Sequence, residues 1–214
     1  MIPKDYKEMA EKIMKGTTTI GIVCSDGIVM GADSRATMDT FIASSEAVKI
    51  YKIDDNIAMT IAGGVGDAEY LVKFLKMQNE LYKMNEGKPL SPNSATSLFH
   101  IVLQENKMMP YFVQLILGGI DDKGPELYNI DFFGGYTKEP KFTATGSGSL
   151  TALGYLEDAF KPENTVAMSV KIAAKALKIA MKRDSATGDH MKIVAITKEG
   201  YKEYSGEDIA KLLE

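Results

Sequence analysis

The chain has 214 residues, 45% of them hydrophobic and 25% charged, with a formal net charge of -4. That is the balance of an ordinary globular domain, neither disordered nor fibrous, and the length suits a single domain that buries around 70% of its unfolded surface. A mildly acidic chain without a basic run argues against nucleic acid as the main partner, and no stretch approaches the roughly eighteen consecutive apolar residues of a membrane span.

Residues 1–16, MIPKDYKEMAEKIMKG, carry charges throughout and lack the continuous apolar core of a secretory signal. They end abruptly at Gly16, before a strand-like pattern begins. The single cysteine, Cys24, lies in that strand-like run and cannot form an internal disulfide. A buried structural thiol in a reducing compartment follows, which points to the cytoplasm.

From Thr18 the sequence predicts strands over Thr18–Val23 and Ile28–Asp33, joined through Asp26-Gly27, a hairpin signal. A second pair follows at Val48–Ile53 and Ile57–Ala62, making four strands before any helix. From Gly66 the period changes: Ala68, Leu71, Val72 and Leu75 mark an amphipathic helix running to about Gly87. Ser91-Pro92 supplies an N-cap and a first-turn proline for a second helix to about Lys107. Strands return at Val113–Ile120, Leu127–Asp131 and Phe142–Thr145. A helix opens near Ser149, and another from Thr165 to about Arg183 carries Val170, Ala173, Ala174 and Leu177 on one face. Strands at Met191–Thr197 and Tyr201–Tyr204 and a short helix over Gly206–Glu214 close the chain. Hairpins alternating with helix pairs predict an α+β domain, and the simplest packing is a four-layer αββα sandwich of two antiparallel sheets covered by helices.

The junction Gly16-Thr17 carries the most chemistry. If that peptide bond is cut, Thr17 presents a hydroxyl nucleophile and a free α-amine, one of the known ways to activate a weak hydroxyl with an adjacent base. An α-amine has an unperturbed pKa of about 7.7 to 8.0, close enough to neutral to accept a proton. Asp33 ends a strand before Ser34-Arg35, and Lys49 sits beside Val48 and Ile50 near the start of another, where alternation places its side chain opposite theirs. A lysine in a strand is usually a solvated face residue; paired with Asp33 near Thr17, it would instead favour the alkoxide. Ala62-Gly63-Gly64-Val65-Gly66 joins strand to helix, where free backbone N–H groups can steady an oxyanion; it lacks the Lys-Ser/Thr of a phosphate-binding loop. Gly146-Ser147-Gly148-Ser149 and Arg183-Asp184-Ser185-Ala186-Thr187-Gly188 are polar junctions, either plain caps or loops, or holders of an N-terminal amine through Ser147, Asp184 and Thr187. His100 and His190 have no third ligand at a sensible spacing, so neither a metal site nor any other cofactor is expected.

Together these residues resemble a β-type subunit of the proteasome core particle, of the archaeal or actinobacterial kind, in the N-terminal nucleophile hydrolase class. The likeness runs over essentially all of residues 17–214 and rests on Gly-Thr-Thr-Thr at 16–19, Gly31-Ala32-Asp33-Ser34-Arg35, Lys49, Ile61-Ala62-Gly63, Gly146-Ser147-Gly148-Ser149 and Arg183-Asp184-Ser185-Ala186-Thr187-Gly188. The resemblance implies a propeptide over 1–16 removed by autolysis between Gly16 and Thr17, a catalytic domain over 17–214, and threonine endopeptidase activity with Thr17 as nucleophile. Asp33 and Lys49 would tune it, Gly63 would supply the oxyanion N–H, and Ser147, Asp184 and Thr187 would hold the amine and a water. Thr187 departs from the serine common at its place, keeping the hydroxyl and adding a methyl. Ala36, Ala47, Ile61 and Val65 would line the pocket for the substrate residue before the cut, and being apolar would favour hydrophobic residues. The resemblance also implies a seven-membered β ring stacked on a second, capped by α-type rings, an ATP-dependent unfoldase as regulator, and unfolded polypeptides as substrates. Other readings are a non-catalytic ring scaffold of the same shape, the bacterial two-component protease relative, and an amidohydrolase of the same nucleophile class acting on small amides.

Overall fold

The computed structural model describes residues 16–38 and 40–213. The leader over 1–15, which the sequence reading assigns to a propeptide, lies outside the described residues.

Two five-stranded sheets form from antiparallel pairs throughout. The first runs β10-β1-β2-β11-β12, from Phe142–Gly146 (β10), Thr18–Cys24 (β1), Gly27–Asp33 (β2), Met191–Thr197 (β11) and Gly200–Tyr204 (β12). The second runs β5-β6-β7-β8-β9, from Ile50–Asp54 (β5), Ile57–Gly63 (β6), Val113–Asp121 (β7), Gly124–Ile130 (β8) and Tyr136–Lys138 (β9). A separate hairpin pairs Ala36–Met38 (β3) with Phe41–Ser44 (β4).

Among the described residues there are helices at Val65–Glu86 (α1), Pro92–Glu105 (α2), Ser149–Ala159 (α3), Val166–Arg183 (α4) and Gly206–Leu213 (α5). The apolar residues sort into three clusters, one for each interface of a four-layer stack. Leu71, Leu75, Phe99 and Leu103 of α1 and α2 pack on Met59, Leu115 and Leu117 of the second sheet. Leu156, Val170, Ala174 and Leu177 of α3 and α4 pack on Ile20, Ile22 and Ile193 of the first. Between the sheets, Ile28, Met30 and Val194 meet Ala58, Ile116 and Leu127. The expected αββα sandwich is therefore the fold. The sheets approach closely because glycine faces bulk across the gap: a Cβ on Gly21 would lie 2.7 Å from Leu127, and one on Gly118 would lie 2.8 Å from Ile28.

The expected helical faces, Ala68-Leu71-Val72-Leu75 and Val170-Ala173-Ala174-Leu177, are all buried. Gly87 ends α1 with φ 70°, its N–H on Lys83 O. Ser91 Oγ accepts from Ser94 N at 3.1 Å to cap α2, which stops at Glu105, two residues short of expectation. Helix α4 starts at Val166 without a Thr165 side-chain cap; Asp26 Oδ1, from the β1–β2 turn, accepts the Val166 N–H at 2.7 Å instead.

Three strands escaped the sequence reading, so six precede the first helix rather than four. The β3–β4 hairpin is exposed and bulged between Ala36 and Thr37, which blurs any alternation, and β9 is a three-residue edge strand. The expected strand Val48–Ile53 starts only at Ile50. Residues 45–49 are irregular, and so the alternation argument at Lys49 fails on one side: Val48 is exposed, but Lys49 and Ile50 are both buried.

Cys24 is buried, as expected of a structural thiol, and burial pushes it up to about 11. A thiol reagent at pH 8 should leave Cys24 unmodified in the native protein and label it fully once denaturant unfolds the chain, as read by intact mass. Rapid labelling under native conditions would contradict the packing of β1 on α4.

Candidate active site

Strand β1 delivers the Gly16–Thr17 junction to one end of the first sheet. Its register with β2 and β10 is continuous, placing Thr19 opposite Ala32 and Thr18 opposite Gly146. The Gly16–Thr17 peptide bond is intact, so the Thr17 nitrogen is an amide and stands where a free α-amine would be after cleavage. Thr17 is itself buried, and its Oγ1 donates to Gly16 O at 2.7 Å. Gly16 adopts φ 104°, and a Cβ there would fall 2.1 Å from Thr37 Oγ1, so only glycine fits without rearrangement.

Asp33, the last residue of β2, lies nearly sealed from water. Its Oδ1 accepts from Thr18 N at 2.8 Å and Lys49 Nζ at 2.7 Å, and its Oδ2 from Gly188 N at 2.9 Å and Arg35 N at 3.2 Å. Lys49 Nζ reaches three oxygens: Asp33 Oδ1, Arg35 O at 2.5 Å and Gly16 O at 3.3 Å. The Lys49 and Asp33 side chains are only 5% and 0% exposed, which makes this a buried ion pair. Burial lowers the Lys49 pKa below that of a free lysine, although Asp33 pulls the other way. The Thr17 hydroxyl and the Lys49 ammonium thus both donate to one oxygen, the carbonyl of Gly16.

A second network lies on the other side of the junction. Ser147 Oγ accepts the Gly16 N–H at 3.3 Å and lies 3.3 Å from Thr17 O and 2.5 Å from Asp184 Oδ2. Thr187 Oγ1 donates to the same Asp184 oxygen at 2.5 Å. Its one proton is then committed, so Thr18 Oγ1, 2.7 Å away, must donate to it. The direction of this chain, from Thr18 through Thr187 to the Asp184 carboxylate, follows from counting protons.

Gly63 ends β6 with φ 135°, where a Cβ would fall 2.0 Å from Phe112 O. Two residues earlier, Ile61 N donates to Lys49 O at 3.0 Å, so the end of β6 runs beside the segment that carries Lys49. Of the four residues expected to line a substrate pocket, Ala47 borders a cleft of about 280 Å³ floored by Asp33 and Lys49. Ala36 opens β3, Ile61 is buried in β6 and Val65 is exposed at the start of α1; none of them borders that cleft. A larger cleft of about 560 Å³, between α4, α5 and residues 189–191, contains none of the expected site residues.

Comparison with known proteins places this arrangement. The family model described as "Proteasome subunit" matches residues 13–196. The chain belongs to the proteasome subunit family. It is 47% identical over 206 residues to the proteasome subunit beta of Archaeoglobus profundus, covering 96% of each chain. It is also 48% identical over 208 residues to that of Methanococcus aeolicus, covering 97% of this chain and 94% of the relative, and 43% identical over 202 residues to that of Methanosarcina barkeri, covering 94% and 96%. It is a β-type proteasome subunit, and its sandwich is the N-terminal nucleophile hydrolase fold.

Sequence reasoning missed several residues that build the site of this β-type subunit. Thr18 looked like a strand opener, yet its buried hydroxyl feeds the Asp184 network. Arg35 grips Asp189 through two nitrogens, at 3.0 and 3.1 Å, and Ser185 O at 2.9 Å. Its guanidinium lies flat against Gly188, where a Cβ would fall 2.4 Å from Cζ. The signal available was the Ser34-Arg35 pair at a strand end, charged where the chain leaves the sheet.

Removing one partner of a buried ion pair strands the other, at a cost of roughly 3–5 kcal/mol. Lys49→Met should therefore lower the melting temperature by on the order of 10 °C. The double variant with Asp33→Asn should lose less than the sum of the two single losses, as read by thermal unfolding followed by circular dichroism. Strict additivity would mean that the two side chains do not act as a pair.

Proposed function

We propose that this β-type subunit is a catalytic one: a threonine endopeptidase whose nucleophile, Thr17, is released when residues 1–16 are removed as a propeptide, leaving 17–214 as the catalytic domain. The observation that carries this reading is the convergence of Thr17 Oγ1 and Lys49 Nζ on the Gly16 carbonyl oxygen. That carbonyl belongs to the bond that must break, and the attacking oxygen is already beside it.

In this reading Oγ of Thr17 attacks the Gly16 carbonyl carbon, the C–N bond to Thr17 breaks, and the acyl group passes to Oγ as an ester. Water then cleaves the ester, leaving the leader with a carboxylate at Gly16 and Thr17 with a free α-amine. With a peptide substrate the same steps recur, the amine now taking the hydroxyl proton, directly or through a water, and passing it to the departing amine. The Lys49 ammonium stabilises the developing alkoxide, Asp33 holds Lys49, and Ser147, Asp184 and Thr187 orient the new amine and a water. The Gly63 N–H steadies the oxyanion; losing such a donor typically costs ~100- to 1000-fold in rate. Ala36, Ala47, Ile61 and Val65, which the described structure does not join in one cleft, would line the pocket for the residue before the cut and favour hydrophobic ones.

The same reading gives the subunit its setting. Seven copies form a ring, two rings stack between α-type rings, and unfolded polypeptides reach the enclosed threonines with the help of an ATP-dependent unfoldase. The particle works in the cytoplasm; no helix among the described residues is long and apolar enough to cross a membrane.

Intact mass after assembly with an α-type partner tests the first step. The expected result is a chain beginning at Thr17, and retention of residues 1–16 in a Thr17→Ala variant. A wild-type chain that keeps its full mass in assembled particles would favour the non-catalytic scaffold.

The rate of hydrolysis of a peptide with an apolar residue before the cut should be bell-shaped in pH. An amine accepts a proton only when neutral, so activity rises with pH through the α-amine pKa, about 7.7–8.0 when unperturbed. Lys49 acts as a cation, so activity falls as pH rises through its pKa, which burial holds below the ordinary lysine value of about 10.4. A profile that stays flat up to that pH would remove Lys49 from the mechanism.

A further inference from the structure

We infer that Ser34 is a positioning residue that fixes the irregular segment 45–49, and through it Lys49, against the site. The inference rests on the proposed role of Lys49, but the exchange measurement that tests it does not depend on that role.

Residues 45–49 belong to no strand, so no sheet ladder holds their backbone in place. Among the described residues, five backbone groups of the segment bond outside it. Ser45 O accepts from Ser34 Oγ at 2.5 Å, Ala47 N donates to Ser34 O at 2.8 Å, Lys49 O accepts from Ile61 N at 3.0 Å, Val48 O accepts from the Tyr51 hydroxyl at 2.9 Å and Glu46 N donates to Ser44 Oγ at 3.2 Å. Two of the five go to Ser34, and those to Ser44 and Tyr51 stay within three residues along the chain. The same residue bonds the loop that follows α4: Ser34 N donates to His190 O and His190 N donates to Ser34 Oγ, both at 2.9 Å. Ser34 thus joins the exit of β2, the segment before β5 and the entry to β11, and its four hydrogen bonds among the described residues reach partners distant in sequence.

The consequence for Lys49 is geometric. Its ammonium must meet Asp33 Oδ1, Arg35 O and Gly16 O together. Two of those acceptors, on Asp33 and Arg35, flank Ser34 in the chain, so the residue that presents them also anchors the backbone from which Lys49 extends. The Glu46 side chain adds an exposed contact to His190, 3.1 Å away, and Lys192 pairs with Glu203 at 3.0 Å on the same rim. Solvent-exposed pairs of this kind contribute little to holding a segment. The hydroxyl of Ser34 accepts from His190 N while donating to Ser45 O; its removal takes one bond from each neighbour and leaves the backbone bonds of Ser34 to Ala47 and His190.

Ser34→Ala and Ser34→Thr, each in the full chain assembled with its α-type partner, test this. Hydrogen exchange by mass spectrometry should show faster exchange in Ser34→Ala over 45–49 and 189–191, with the core of β2 unchanged and the melting temperature within a few degrees of wild type. Peptide hydrolysis should fall about tenfold, with the alkaline limb moved to higher pH because water reaches Lys49 more freely, and Ser34→Thr should restore both. Exchange identical to wild type in Ser34→Ala would overturn the positioning role. So would a loss of activity that tracks unfolding, spares the alkaline limb and is not rescued by threonine. A wild-type protein with no Thr17-dependent hydrolysis would instead sink the peptidase reading, leaving the exchange measurement to decide the role of Ser34.

Discussion

A charged pair nearly sealed from water, Lys49 with Asp33, sets the terms for everything around it. Buried charges are tolerated only when they are paired and their remaining hydrogen-bonding capacity is met. Here it is met in full view: the Asp33 carboxylate takes four donors and the Lys49 ammonium meets three oxygens. Those partners come from the Gly16 junction, the exit of β2 and the loop after α4, while Lys49 itself comes from the irregular approach to β5. Satisfying one pair therefore pins four stretches of chain that are far apart in sequence. The cost of burying the charges is what makes their arrangement definite, since any displacement leaves a charge short of a partner.

The loop from Asp184 to His190 shows how the surface serves that centre. Arg35 and Asp189, each roughly one-fifth exposed, meet through two guanidinium nitrogens and two carboxylate oxygens. The hydrogen bond between them lowers the Asp189 pKa and raises that of Arg35. What the pair does is geometric. Asp189 is held at φ 66°, the one non-glycine residue with positive φ among those described, and the guanidinium lies against Gly188. A Cβ at 188 would fall 2.4 Å from the guanidinium carbon, so a side chain there would push Arg35 away, while the Gly188 N–H donates to Asp33 Oδ2 at 2.9 Å. Strain at one residue is accepted because two planar contacts and a buried carboxylate overdetermine it.

The fold was legible wherever a single face repeats. The helical stripes of α1 and α4, the caps at Ser91 and Gly87, and the Asp26-Gly27 turn are all local, and their periods survive in the sequence. The β3–β4 hairpin and β9 were not, because exposed three- and four-residue strands bury too little to leave an alternation. At the site, residue types at strand and helix ends pointed to Thr17, Asp33, Lys49, Ser147, Asp184 and Thr187, and these converge in space. Their partners were hidden for a different reason. Thr18 acts through a hydroxyl on the opposite face from Thr19, whose own hydroxyl bonds Thr145 and Thr60 across to the second sheet. Three consecutive threonines thus serve three directions, and nothing in their identity says which serves which.

The glycine before Thr17 is best explained by the pocket that receives it. Its φ of 104° is open to few other residues, and any Cβ would strike Thr37 in the first strand of the exposed hairpin. Its N–H meets Ser147 on one side and its carbonyl meets Lys49 and Thr17 on the other. The residue is therefore shaped by groups of the folded domain. Under the proposed function, the geometry that selects glycine also aligns the bond to be broken.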